Sequence, residues 1–309
     1  MPIKESQFIW RSGEMVPWAE ATTHVMTHAL LYGTCAFEGI RAYETPHKGT
    51  AIFRNDAHAE RLFYSSRIYG IGIEFTKEEV MQACRDAVAK NGLSSAYIRV
   101  NAYLGYGEMS PSATGCPNEL DVIAFALGQY LGDEAVQQGI DVCVTSWRRT
   151  APSTIPAGLK MAGNYLSSRL ITTEAKARGC VEGIGLGHSG QVSEGAGENL
   201  FMVKNGKIYT PPTSASILVG ITRDSIITMA RDLGFEVIEQ EISREALYGA
   251  EELFFTGTAA EVTPIKTVDG FEIGTVGDNP VTSKIQKAFF GLFSGETEDK
   301  YGWLDPVEG

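Results

Sequence analysis

Four runs, "AYIRVNAYLGY", "DVIAFALGQY", "IDVCVTSW" and "ENLFMVKNGKIYT", are rich in β-branched and aromatic residues and alternate with stretches of helical period. A chain that keeps switching between these two periods has to bury strand faces against helices, which limits it to a mixed α/β architecture. The clearest helix is "TKEEVMQACRDAVAKNG": Thr76 and Glu79 make a capping box, Val80, Cys84 and Val88 share a face, and Gly92 can end it. A second helix is expected from Asn164, as its cap, to near Gly179, and a third from Thr222 to Gly234. The segment "LGQYLGDEAVQQG", with Gly128, Gly132 and Gly139 and two acids, reads as a connector. The expected organisation is a domain over residues 1–128, a connector over 129–139 and a second domain over 140–309.

At 309 residues the chain is long enough for two such lobes. Its formal net charge of −12 argues against a general affinity for nucleic acid or for an anionic membrane surface. No apolar run approaches the ~20 residues of a membrane span, and "MPIKESQFIW" lacks the apolar middle of a signal peptide. Five widely spaced cysteines (Cys35, Cys84, Cys116, Cys143 and Cys180) form no CxxC, so neither a disulfide framework nor a zinc site is expected, and a reducing cytosol fits best.

The stretch "IPAGLKMAGNYLSSRL" sets Lys160 among small and apolar residues with no acid beside it. It is either an exposed loop lysine or an amine made to lose its proton, since an apolar setting disfavours the charged form. Gly185, Gly187 and Gly190 spell a literal GxGxxG, but the residues that follow look like turn and strand, so a glycine-rich hairpin replaces the dinucleotide fingerprint. His24 and His28 are four apart and can share a helical face, yet the glutamate of a zinc-protease motif is missing and no metal is expected. Thr222 opens a helix, either as a plain cap or where unpaired N–H groups and the dipole favour a phosphate. Glu194 in "SEGAGENLF" is either a solvated turn residue or a carboxylate facing a basic ring nitrogen. "FFTGTAAEVTP" ends an apolar strand in Gly257, Thr258, Ala259 and Ala260, small enough for ligand oxygens to reach backbone N–H groups or for a tight packed turn. Taken as a set, an amine, a carboxylate for a pyridine nitrogen, a phosphate-binding helix start and small-residue turns are the needs of pyridoxal phosphate.

The ordered motifs "HALLYGTCAFEGIRAY", "SAYIRV", "APSTIPAGLKMAGNYLSS", "SEGAGENLF", "GITRDSII", "GTAAEVTP" and "KAFFGLFSGETEDKYGWLD" resemble, nearly end to end, the bacterial branched-chain amino acid aminotransferases of the fold type IV pyridoxal-phosphate class. That resemblance implies a two-domain α/β fold, a smaller N-terminal and a larger C-terminal domain with the cofactor between them. It implies that Lys160 forms the Schiff base with the cofactor and moves protons. It places Tyr165 on the ring hydroxyl, Glu194 on the ring nitrogen, and Arg61, Ile221, Thr222 and Thr258 on the phosphate. It gives the substrate α-carboxylate to Tyr97 with the backbone at Thr258 and Ala259. Arg99, two residues on and on the same strand face, takes the distal carboxylate of glutamate, and Phe37, Tyr32 and Tyr130 line the pocket.

The implied reaction is ping-pong transamination of L-branched-chain amino acids with 2-oxoglutarate by a cytoplasmic homo-oligomer, at least a dimer and compatible with a hexamer of three dimers. A D-amino acid or (R)-amine transaminase, or an aminodeoxychorismate-type lyase, is the alternative on the same scaffold. Leu127 stands in "FALGQY" where relatives often carry a tryptophan, and the 105–115 loop "GYGEMSPSATG" looks short, so both bear on substrate range.

Overall fold

The computed structural model describes residues 3–128, 131, 134–274 and 280–307. Two compact units emerge. One is Met1–Gly128 with Leu159–Gly163 and Phe293–Gly309; the other is Gln129–Gly158 with Asn164–Leu292. The units therefore depart from sequence order at two places expected in the second domain. Leu159 and Met161 are buried in the apolar cluster of the first unit, and the chain end returns to it as a strand. Lys160 goes with them.

The elements before the connector are β1 (Phe8–Arg11), β2 (Glu14–Pro17), α1 (His28–Tyr32), β3 (Cys35–Thr45), β4 (Gly49–Phe53), α2 (Asn55–Ile68), α3 (Lys77–Lys90), β5 (Ala96–Leu104) and β6 (Asn118–Phe125). The expected connector contains a short helix, α4 (Ala135–Gln138). There follow β7 (Ile140–Arg148), α5 (Tyr165–Ala177), β8 (Glu182–Leu186), β9 (Val192–Gly195), β10 (Asn199–Lys204), β11 (Lys207–Thr210) and α6 (Ile221–Asp232). The rest are β12 (Val237–Glu239), α7 (Arg244–Tyr248), β13 (Glu252–Gly257), β14 (Glu261–Val268), β15 (Phe271–Glu272), α8 (Pro280–Ser294) and β16 (Leu304–Pro306).

In the first unit the sheet order is β16-β4-β3-β5-β6-β1-β2, every neighbour antiparallel. Strand alternation decides its two faces. Ile40, Ala42, Ile98, Val100 and Ala102 enter one core with Leu62 of α2 and Val80, Cys84 and Val88 of α3. Phe37, Tyr97 and Arg99 therefore point to the other face, in the register Phe37↔Asn101, Gly39↔Arg99 and Arg41↔Tyr97. Helix α3 begins as its sequence predicts: Glu79 N–H donates to Thr76 Oγ1 at 3.2 Å, and Thr76 N–H to Glu79 Oε2 at 2.7 Å.

In the second unit the order is β12-β11-β10-β13-β14-β7-β8-β9, with β15 on β14. The pairs β11–β12, β14–β7 and β7–β8 are parallel. The glycine-rich run forms the β8–β9 hairpin, with Gly190 at φ +88°. Two helix starts differ from expectation. Asn164 ends a 3₁₀ turn in helical backbone and makes no side-chain cap to α5; its amide donates to the Pro156 carbonyl at 2.9 Å. Helix α6 starts at Ile221 with Gly220 as its cap residue, so Thr222 is the second helical position and not a cap.

Candidate active site

In the first unit Lys160 lies in a short extended segment on the edge of β3. Phe37 N–H donates to the Lys160 carbonyl at 3.0 Å, and Ala36 and Met161 form an antiparallel bridge. Lys160 N–H donates to Ser65 Oγ on α2 at 3.1 Å. Its apolar neighbours Leu159 and Met161 anchor this segment in the core. The Lys160 side chain passes over Phe37, with Nζ 5.0 Å from the ring centroid. The Arg99 guanidinium lies 4.4 Å from the same centroid and donates through Nη2 to Tyr97 Oη at 3.4 Å. Gly39 gives Tyr97 its room, since a Cβ there would collide with the tyrosine ring and hydroxyl.

On the opposite face of β3, Glu38 is fully buried in the core layer. Its Oε1 accepts from Arg61 Nε at 2.7 Å, and its Oε2 from Arg61 Nη2 at 2.8 Å and His58 Nδ1 at 2.7 Å. Burial pushes the Glu38 carboxyl up, but the charge of Arg61 and the hydrogen bonds from Arg61 and His58 outweigh it and hold it well below the usual carboxylate range. His58 is pushed down by burial, against the pull of Glu38, and stays neutral. An ionised carboxylate only accepts, so His58 carries its proton on Nδ1. Lys160 keeps some access to solvent. Burial, then the charge of Arg61, nonetheless lowers its amine to about 8, with Glu38 and Tyr97 pulling the other way and Arg99 adding to the fall.

In the second unit Glu194 sits on β9 with 4% of its surface exposed, which excludes a solvated turn residue. It accepts from Arg149 Nη2 at 2.7 Å, from Asn199 Nδ2 at 2.9 Å and from the Leu218 N–H at 3.1 Å. Arg149 is held in turn by Ser168 Oγ at 3.2 Å. Two more carboxylates, Glu182 and Glu198, are buried nearby, and burial raises both, Glu198 well above its ordinary range with Glu182 and Glu194 adding to the rise. Ile221 and Thr222 are the first two helical residues of α6, both buried. Thr258 and Ala259 occupy the turn between β13 and β14, and Tyr165 opens α5.

Of the pocket residues named from sequence, Lys160, Phe37, Tyr97 and Arg99 come together. Tyr32 lies on α1, exposed, its ring 4.6 Å from that of His28, and Tyr130 lies outside the described residues. His24 precedes α1 and shares no helical face with His28, whose ring nitrogens meet Thr34 Oγ1 and the Ser110 carbonyl, each at 2.7 Å. Among the described residues no three His, Cys, Asp or Glu side chains are grouped to hold a metal. Glu38, His58, Arg149 and Asn199 were missed. For Glu38 the signal was present: it falls in phase with Ala36, Ile40 and Ala42 on β3, and a carboxylate in a core phase demands partners.

Residues 35–268 match the amino-transferase class IV family. The chain is 53% identical over 308 residues to the branched-chain-amino-acid aminotransferase of Salmonella typhimurium, covering 99% of each chain. It superposes on the crystal structure of the Escherichia coli branched-chain amino acid aminotransferase with a TM-score of 0.97 and 52% identity, covering 98% of this chain and 100% of that one. The branched-chain amino acid aminotransferase from Thermobaculum terrenum, in its PLP-bound holo form, gives a TM-score of 0.91 at 33% identity, covering 98% and 99%.

Proposed function

This chain belongs to the class IV aminotransferases, and we propose that it moves the amino group of L-leucine, L-isoleucine and L-valine to 2-oxoglutarate, with pyridoxal 5'-phosphate as cofactor. The products are the branched-chain 2-oxo acids and L-glutamate. The observation that carries the reading is the cluster of Lys160, Phe37, Tyr97 and Arg99, with an amine lowered to about 8 beside an apolar wall that also holds a guanidinium.

The donor set fits the cofactor. An amine near neutrality suits an aldehyde, Glu194 is a buried carboxylate already balanced by Arg149, and α6 starts on a glycine with no side-chain cap, leaving its first N–H groups for an anion. When bound, pyridoxal phosphate supplies the electron sink for proton loss at Cα and carries the amino group between the two half-reactions. Lys160 takes the Cα proton and returns it on the cofactor side, acting as base and then acid. Glu194 keeps the ring nitrogen protonated, and Tyr165 takes the ring hydroxyl. Arg61, Ile221, Thr222 and Thr258 hold the phosphate. Tyr97, with the backbone at Thr258 and Ala259, takes the substrate α-carboxylate.

Arg99 takes the distal carboxylate of glutamate, and Phe37 takes apolar side chains, with Tyr32 and Tyr130 completing the lining. Because Arg99 rests on Phe37, one wall serves both substrates: the ring screens the cation when leucine is bound and leaves its edge for a carboxylate. Leu127, half-buried just past β6, widens the range toward bulkier side chains.

The enzyme is cytoplasmic and at least a dimer, the hexamer of three dimers being the larger assembly compatible with this reading. In support, the described cysteines are all free, and Val25, Leu30, Tyr106 and Met109 are exposed on two neighbouring segments joined by His28. No described helix is long and apolar enough to cross a membrane.

The deciding experiment is an absorption spectrum of the purified protein during addition of L-leucine without oxo acid. The expected result is loss of the visible band as one equivalent of 2-oxo acid appears per site. A coloured protein that ignores L-leucine but responds to a D-amino acid or an (R)-amine moves the reading to those transaminases. A protein that takes up no added cofactor refutes it.

A further inference from the structure

We propose that Glu38 and His58 are positioning residues for the cofactor phosphate, a buried carboxylate–imidazole pair that fixes the plane of the Arg61 guanidinium. The inference rests on the assignment of Arg61 to the phosphate made above. His58 and Arg61 are three residues apart on α2, so both side chains leave the same helical face. Glu38 comes to meet them from the core side of β3, where an ionised carboxyl is tolerated only with full pairing.

The bonds are arranged to lock rather than merely to neutralise. Arg61 presents the Nε–Nη2 edge of its fork to both carboxylate oxygens, at 2.7 and 2.8 Å, which sets the two planes together. A carboxylate held by one partner can still swing about its last torsion. His58 removes that freedom by donating a third bond, to Oε2, the same oxygen that receives Arg61 Nη2. Among the described residues Lys160 and, from α3, Cys84 also feel this pair. Burial raises the Cys84 thiol to about 12, so it stays neutral and leaves the pair's charge unchanged.

Positioning and simple neutralisation predict opposite signs. If Glu38 only cancels the charge of Arg61, replacing it with an amide frees a cation and tightens phosphate binding. If it orients Arg61, the same change weakens it.

The test compares binding of pyridoxal 5'-phosphate with pyridoxal, which lacks the phosphate, to the full-length protein after cofactor removal. The readout is the absorption change in wild type, Glu38→Gln, His58→Leu, His58→Asn and Arg61→Ala. Glu38→Gln and Arg61→Ala are expected to weaken the phosphorylated ligand about ten- to hundredfold and His58→Leu about three- to tenfold, with pyridoxal within about twofold throughout. His58→Asn, whose amide nitrogen falls where Nδ1 was, restores wild-type binding. Equal losses for both ligands, or a Glu38→Gln protein that binds the phosphorylated ligand as well as wild type or better, overturn the proposal. If Arg61→Ala shows no phosphate-selective loss, the assignment of Arg61 fails, and the proposal with it. Should Glu38→Gln not fold, the His58 pair alone decides by the same comparison.

Discussion

Around Lys160 the first unit gathers two guanidinium groups, Arg61 and Arg99, with one buried carboxylate, Glu38. Around Glu194 the second unit gathers two further carboxylates, Glu182 and Glu198, with one guanidinium, Arg149. Each cluster holds an excess of one sign where desolvation makes unbalanced charge costly. The proton settles both. In the cation-rich cluster burial and Arg61 push the Lys160 amine down; in the anion-rich one burial and the neighbouring glutamates push Glu198 up, while Glu194 pairs with Arg149. The difference teaches that burial starts each shift and the surrounding charge then decides its outcome: Glu38 and Glu198 are both buried glutamates, yet Arg61 and its donors hold the first down while neighbouring carboxylates push the second further up.

The largest expected effect breaks the first cluster at its centre. Lys160→Ala should lower turnover of L-leucine at least about ten-thousandfold, measured as 2-oxo acid formed in a single turnover, and a near-normal rate removes the lysine from the reaction. Glu194→Gln comes next. It should slow Cα proton loss, followed by deuterium exchange at Cα of leucine, roughly a hundredfold or more while cofactor affinity changes far less. Equal turnover in that variant refutes its role at the ring nitrogen.

The two buried glutamates sharpen the comparison through pH, since their signs are opposite. Glu38 has a depressed folded value, so its stabilisation is present above the unfolded value of about 4.3 and is lost as pH falls toward the folded one. Glu38→Gln should therefore cost about 3–5 kcal/mol at pH 7 in urea unfolding, with the gap to wild type closing below about pH 4. A gap that stays constant across that window contradicts an ionised Glu38.

Lys160 reports on its own cluster. In the cofactor-free protein its acylation by acetic anhydride, with acetate as leaving group and the product followed by peptide mass, should reach half its limiting rate near pH 8. A midpoint near the ordinary lysine value of about 10.4 means that burial and Arg61 do not act on it.

Glu198 carries the smallest effect. Its folded value is raised, so the unfolded chain releases its proton first, and stability falls as pH rises above about 4.3 toward the folded value. Glu198→Gln removes that slope and should melt at the same temperature as wild type or a few degrees higher, by about 2–4 °C at pH 8. A variant that melts lower with the wild-type slope retained shows that Glu198 is not the proton carrier.

Local signals were legible where one segment settles its own conformation. The capping box at Thr76 and Glu79, the alternation of β5 and the glycine turn after "GLG" depend on residues only a few positions apart, and each formed as expected. The same locality misled at Asn164 and Thr222, both good capping types. At Asn164 the amide finds the Pro156 carbonyl, and at Thr222 Gly220 already supplies the extended backbone that starts α6.

By itself the sequence determined the α/β alternation and the absence of a long apolar span, because residue type and spacing suffice for those; they leave Lys160 and Glu194 open between two readings each, and Arg99 enters only through the family resemblance. Tertiary structure alone decided that Leu159–Gly163 belongs with the first unit, that Glu38 lies under His58 and Arg61, and that Arg149 and Asn199 hold Glu194. Asn199 and Glu194 are only five positions apart, but the other pairings join residues far apart along the chain, from 20 positions between Glu38 and His58 to 95 between Ser65 and Lys160. Only the folded sheet and its helices bring them within reach, and only there does the loss of water make their charges govern one another.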